Sequence, residues 1–296
     1  MSEGIPARAL RLMPAVFVLI WSTGFIVARL GMPHAPPLTF LAWRYALSAL
    51  CLGLWVLMAR VPGPRRPSQW GHLGVTGLLM HGVYLGGVWA AVKMGMGAGL
   101  VALLVGLQPM ITAIWVAAQG HRVRLQQWLG LSVGLAGLLL VVWQKLGHGE
   151  LGPANLACAL LALAGITIGT LYQKRFVAAC DVRAANLVQL LAALAATLPL
   201  ALLEPSGMQW LRPAGGVQWE LIGALVWSVL GLTLGGSSLL YLLIQRGAAT
   251  QVTSLLYLVP PTTALMAWAL FGEPITVLTV AGIALTAVGV SMVVRG

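Results

Sequence analysis

From Pro153 to Gln173 the chain reads PANLACALLALAGITIGTLYQ, without one charged side chain. A helix needs roughly 17–25 predominantly apolar residues to cross a bilayer. The pattern recurs, giving ten runs at 13–31, 37–59, 71–93, 97–118, 126–144, 153–173, 183–203, 219–244, 249–271 and 275–294. Hydrocarbon offers the backbone no water to bond, so only helices or a closed barrel span it. Barrel strands alternate apolar and polar residues in short segments, whereas these runs are continuous. Composition agrees: 59% of the 296 residues are hydrophobic and 8% are charged, against about 45–50% and 25% in a soluble domain. The sequence therefore predicts an all-α integral membrane protein of ten transmembrane helices. The longest loop, 204–218, is too short for a soluble domain.

The net charge of +11 would suit a nucleic-acid partner if it were gathered on one surface. It is spread instead through short loops such as "VPGPRRPSQ" and "GHRVRLQ", the way cytoplasmic loops carry Lys and Arg. With the N-terminus in the cytoplasm, twelve of the seventeen Lys and Arg fall inside and four outside, the four being Arg29, Lys93, Lys145 and Arg212. Arg44 lies within a span. The bias predicts both termini in the cytoplasm of a cell whose inner membrane holds the chain, with lipid and no nucleic acid as partner. Arg8 and Arg11 lead straight into a span too long for the core of a cleavable signal peptide. Cys51, Cys158 and Cys180 have no metal-ligand spacing and read as inert small residues.

Shifted by 152 positions, residues 93–142 align with 245–294 without a gap. Ten of the fifty columns are identical. The identities include Gly95 over Gly247, Pro109 over Pro261, Gly120 over Gly272, Gly130 over Gly282 and Gly137 over Gly289. These residues control backbone bends and close contacts, so the two halves are expected to share them. Each half holds five spans, and an odd number sends the second half through the membrane upside down. The chain thus divides into a first five-helix repeat, 1–148, and a second, inverted one, 149–296. Inverted repeats about a mid-membrane axis are how many secondary transporters build two interchangeable access states.

Several stretches carry a family likeness: "FVLIWSTGFIVARLG" in the first span, "PPLTFLAWRYALSAL" in the second, "LLVGLQPMITAIWVA" in the fourth, and "LLYLVPPTTALMAWALFGEPITVLTVAGIALTAVGV" across the ninth and tenth. Over nearly its whole length the chain resembles the EamA-type branch of the drug/metabolite transporter superfamily. Within it, the length, the Trp-rich spans and the His–Tyr third span look most like the bacterial aromatic amino acid exporters. The resemblance implies ten helices around a central cavity and export of amino acids and similar metabolites. One departure concerns the loop acid of the family's Gly-Glu-Pro, present at Gly272–Pro274. The first half has Gly120-His121-Arg122 at that place.

Polar groups at membrane depth are costly and face a cavity or a partner helix. His81 sits at the middle of the third span, with Tyr84 three residues on and so on the same face. One reading has His81 bonding a neighbouring helix; the other has it meeting cargo, a carboxylate when protonated or an amino group when neutral. Gly82 and Gly86 form a small-residue ridge expected to let another helix approach, as do Gly235 and Gly236 in the eighth span. Thr233 takes the place of His81 at the 152 shift. Pro109 and the pair Pro260–Pro261 fall mid-span and are expected to bend the fourth and ninth helices as hinges. Gln108 precedes the first bend; Ser254 and Tyr257 share a face with Pro261. Trp21 is the tryptophan best placed to wall a cavity. These define the expected substrate cavity: His81, Tyr84, Trp21, Ser254, Tyr257, Thr233 and Gln108. Arg44, toward the outer end of its span, is expected to snorkel outward or bond carbonyls.

No Asp or Glu lies mid-span, so the buried carboxylate that swaps a proton for a cationic drug is missing. No deep basic pair is present to clamp a phosphate, and no Gly-x-x-x-x-Gly-Lys stretch to hold ATP. The expected cargo is neutral or zwitterionic, moved as a monomer without cofactor, metal or catalytic residue. Whether His81 couples a proton to transport stays open. Two other readings are a broad drug or nucleobase exporter and, in a different class, an intramembrane enzyme or sensor, for which a lone His without a carboxylate is a poor catalytic set.

Overall fold

The computed structural model describes residues 7–119, 124–146, 151–236, 239 and 258–295. Among them everything regular is helical, apart from one isolated bridge between Leu211 and Val217. In order, the helices are α1 (Ala7–Gly31), α2 (Pro37–Met58), α3 (Pro67–Gly77), α4 (Tyr84–Lys93), α5 (Ala98–Val105), α6 (Gln108–Ala118), α7 (Leu125–Leu146), α8 (Pro153–Phe176), α9 (Val182–Ala201), α10 (Trp219–Trp227), α11 (Val259–Phe271) and α12 (Val277–Arg295). Two wider, π-helical segments interrupt the series. Leu78–Val83 joins α3 to α4, and Ser228–Gly236 continues α10. Among the described residues six helical runs are long and apolar enough to cross a membrane: Leu12–Gly31, Pro37–Met58, Pro67–Lys93, Pro153–Phe176, Val182–Ala201 and Trp219–Gly236. Shorter apolar helices lie within α5–α6, α7, α11 and α12.

Large apolar side chains cover the outside. Leu57, Trp143, Leu161 and Leu270 are all exposed, as a surface solvated by lipid tails requires. The interior is built from Ala, Val and Leu with a few rings, such as Phe40 stacked on Trp89 with centroids 4.3 Å apart. Prolines open α2, α3 and α8 in their first turn, where the missing N–H costs nothing. Glu204 caps α2, accepting from the backbone N–H of Leu38 at 3.0 Å and of Thr39 at 2.7 Å. Glu273, the acid of the Gly-Glu-Pro motif, accepts from the N–H of Ala98 at 3.0 Å and so caps α5. A carboxylate at a helix N-terminus meets both free amides and the positive end of the dipole. Gly272 ends α11 with φ 67°, the left-handed turn that glycine adopts without strain.

The most extensive helix pair is α7 with α12. A Cβ on Gly137 would lie 2.5 Å from the Gly282 carbonyl oxygen, and one on Gly289 would lie 2.5 Å from the Gly130 carbonyl oxygen. Shifting either contact by 152 residues produces the other. Thr286 donates to the carbonyl of Gly134 at 3.4 Å, and these two residues are themselves 152 apart. Other neighbours obey the same exchange: α3 packs on α8 as α10 packs on α1, and the first π-helical segment on α9 as the second on α2.

The fourth span departs from the expected bent helix. It is two helices, α5 and α6, separated at Gly106–Leu107, and Pro109 falls in the first turn of the second. Pro260 and Pro261 likewise lie in the first turn of α11. Among the described residues each proline therefore lies in the first turn of its helix, which needs no donor at that position. The two sites touch: a Cβ on Gly106 would lie 2.9 Å from Cγ of Pro260.

Candidate functional site

The third span is where backbone and side chains combine. In a π-helical turn one extra residue is accommodated, the turn widens, and its carbonyls lose their usual i+4 partners. His81 lies in the turn Leu78–Val83. Its carbonyl accepts a hydrogen bond from the Tyr45 hydroxyl of α2 at 2.7 Å, and the Tyr45 ring meets the imidazole edge-on, centroids 6.1 Å apart. Arg44, next to Tyr45, is within electrostatic reach of Tyr84 and His81, and Gln189 of α9 approaches the imidazole. The structure thus gathers Arg44, Tyr45, His81, Tyr84 and Gln189 between α2, the first π-helical segment and α9. Arg44 neither snorkels outward nor bonds a carbonyl: it is 8% exposed and its Nε has no hydrogen-bond partner.

The expected glycine ridge is displaced. Nothing comes within 4 Å of a Cβ placed on Gly82, and Gly86 meets only the Leu38 side chain at 3.9 Å. The close approaches are at Gly77, against the backbone of Gln189, and at Gly87, where a Cβ would lie 2.5 Å from the Cys158 carbonyl oxygen. The extra residue of the wide turn rotates everything after it by about one position on the helix wheel, which moves the packing face from Gly86 to Gly87. In the eighth span, Gly236 lies at ordinary contact distance from Ile20 and Trp21, and Gly235 nears only the carbonyl of Leu230 in its own segment.

The remaining expected residues are dispersed. Thr233 is buried and donates to the carbonyl of Ser228 at 2.9 Å, five residues back in the same segment. Trp21 packs between Phe17 and Gly236, beside that second segment and with no described contact to His81. Gln108 opens α6 and donates through Nε2 to the Thr170 hydroxyl of α8 at 3.0 Å. Ser254 and Tyr257 lie outside the described residues. Sequence reasoning passed over Tyr45 and Gln189, which the structure places beside His81, and read Arg44 as structural. The available signal was the spacing of Arg44, Tyr45 and Ser48 within one apolar span, since an intramembrane cation is a functional candidate by default. Among the described residues no group of His, Cys, Asp or Glu could hold a metal ion.

The sequence profile of the EamA-like transporter family matches residues 12–143 and again 154–295. A probable amino-acid metabolite efflux pump of Salmonella typhimurium is 25% identical over 292 residues, covering 94% of this chain and 92% of that protein. The uncharacterized inner membrane transporter YedA of Escherichia coli K12 is 25% identical over 272 residues, covering 91% and 86%. A solved crystal structure superposes with a TM-score of 0.62 at 22% identity, covering 95% of this chain and 94% of that one.

Proposed function

The chain belongs to the EamA-like transporter family, and from that premise we propose that it exports amino acids, aromatic ones included, and related small metabolites by alternating access. That it is a multi-pass membrane transporter follows from the family and from the six spanning helices. Its place in a bacterial inner membrane follows from its relatives. The cargo class, the mechanism and the residues are our reading.

The observation that carries it is the pair of wide turns. Shifted by 152, Leu78–Val83 falls on 230–235, inside the second segment, Ser228–Gly236. Two halves, 1–148 and 149–296, that share a rare backbone device at the same place are suited to exchange conformations as inverted repeats. Both termini are then cytoplasmic. In this reading the reciprocal α7–α12 contacts straddle the pseudo-two-fold axis, and the openings of α6 and α11 at Pro109 and Pro260–Pro261 are the hinges. Cargo is met by His81 and Tyr84, with Trp21, Gln108, Ser254 and Tyr257 completing the cavity and Thr233 bracing its wall from inside the second wide turn, and the chain acts as a monomer without a cofactor. An amino-acid cargo agrees with the name of the Salmonella relative and with an interior that offers hydrogen bonds without a deep phosphate clamp.

Purified protein in liposomes is expected to equilibrate labelled phenylalanine and other neutral amino acids. Flux no greater than in empty liposomes across an amino acid panel, with flux of drugs or nucleobases, assigns the protein to a broad drug or nucleobase exporter instead.

A further inference from the structure

Arg44 is the least explained group in the interior. A guanidinium cannot shed its charge, and a buried cation without an opposite charge is strongly disfavoured. Every described carboxylate is engaged elsewhere. Glu204 caps α2 and Glu273 caps α5, Asp181 pairs with Arg183, and Glu220 with Arg212. The Tyr45 hydroxyl, the nearest neutral acceptor by sequence, donates to the His81 carbonyl.

One turn further along α2, Ser48 is fully buried, and its hydroxyl has no partner. That is unusual in this molecule. The buried hydroxyls of Ser22, Thr76 and Thr167 bond carbonyls four residues back, and that of Ser228 one three residues back. Returning the proton to its own helix is the default for such residues. Residues i and i+4 share a face, so α2 presents two unmet groups one turn apart, the Nε of Arg44 and the hydroxyl of Ser48. The side edge of an arginine matches the two oxygens of a carboxylate, and a hydroxyl one turn away supplies a further donor.

Resting on the exporter reading above, we propose that Arg44 and Ser48 are the docking point for the carboxylate of the cargo. Transported molecules are then small carboxylates, with amino acids among them, and His81 and Tyr84 face the rest of the molecule. The cargo supplies the counter-charge that the protein itself omits. A site that must release its ligand is better built from a cation waiting for an anion than from a permanent ion pair.

The test is competition against labelled phenylalanine in liposomes holding the full-length wild-type protein. 3-Phenylpropionate keeps the carboxylate without the amine, and phenylalaninol keeps the amine without the carboxylate. 3-Phenylpropionate is expected to compete and phenylalaninol to fail by about tenfold or more, the scale of a lost charge-assisted contact. Arg44→Gln is expected to lose that discrimination together with most flux, and Ser48→Ala to weaken it by a few-fold. Equal competition by the two probes overturns the carboxylate site and leaves the exporter reading standing. No flux of any amino acid overturns the exporter reading, and the proposal falls with it. Should Arg44→Gln not fold, the wild-type competition alone decides.

Discussion

The two wide helical turns share a backbone and differ in what holds them. The first, Leu78–Val83, is held from outside. Tyr45 bonds the carbonyl of His81 across to α2, Gly77 lies against the Gln189 backbone, and Gly87 closes on Cys158. The second, Ser228–Gly236, packs on α1 and α2, but its described side-chain hydrogen bond is internal: Thr233 returns its hydroxyl to Ser228, and Gly231 faces the ring of its own Trp227. At matched positions one half therefore offers His81, with Tyr84 and Arg44 in reach, and the other, among the described residues, offers Thr233 with its hydroxyl already bonded. A repeated scaffold fixes where both helices widen, while side chains decide which widening is left with chemistry to spare.

The comparison breaks most completely at Gly87. A bulky side chain there has backbone of α8 in its way, so Gly87→Leu is expected to abolish the folded protein, several kcal/mol beyond what a membrane domain tolerates. Gly82→Ala, with open space around it, is expected to leave the monodisperse peak in detergent gel filtration unchanged. Next in size are the side chains of the first turn. His81→Ala and Tyr84→Ala are expected to keep the fold and lower amino acid flux about tenfold, equivalent to about 1.4 kcal/mol. Equal flux would move both residues from cargo to packing.

Tyr45→Phe sharpens the comparison at smaller scale. It strips the external bond from the wide turn, a loss of about 1 kcal/mol, read as a lower apparent Tm in detergent. Thr233→Val removes the internal bond of the other turn and is expected to cost less, because a hydroxyl bonding its own helix adds little. The smallest effect lies outside the membrane, at the start of α9. Asp181 caps that helix and takes hydrogen bonds from Arg183, which holds its carboxyl below the ordinary carboxylate range. The contribution is complete above the unfolded-state value and fades as pH falls through the lower, folded-state one. Asp181→Ala is expected to cost under about 1 kcal/mol at neutral pH, with the difference from wild type shrinking in acid.

Much of this was legible in the chain. The apolar runs, the family likeness and the 152-residue shift, which places Gly130 over Gly282 and Gly137 over Gly289, are statements about composition and spacing. Those four glycines do meet across α7 and α12. His81 and Tyr84 stood out because polarity at depth is rare. What the sequence hid is a matter of helical phase. Counting 3.6 residues per turn through Leu78–Val83 assigns close packing to Gly82 and Gly86, and one inserted residue carries it to Gly87. The same limit hid the inward aim of Arg44, since a long side chain near a span end reads equally well as reaching for water. The fourth span shows a third limit: Pro109 stands at a helix start, which periodicity alone does not separate from a kink.

The most direct measurement is amino acid efflux from liposomes loaded with labelled phenylalanine, run side by side on wild type, His81→Ala and Thr233→Val at equal protein content. Asymmetry between the wide turns predicts that the His81 variant loses about tenfold in rate while the Thr233 variant stays within about twofold of wild type. Equal losses, or a larger loss at Thr233, would contradict it.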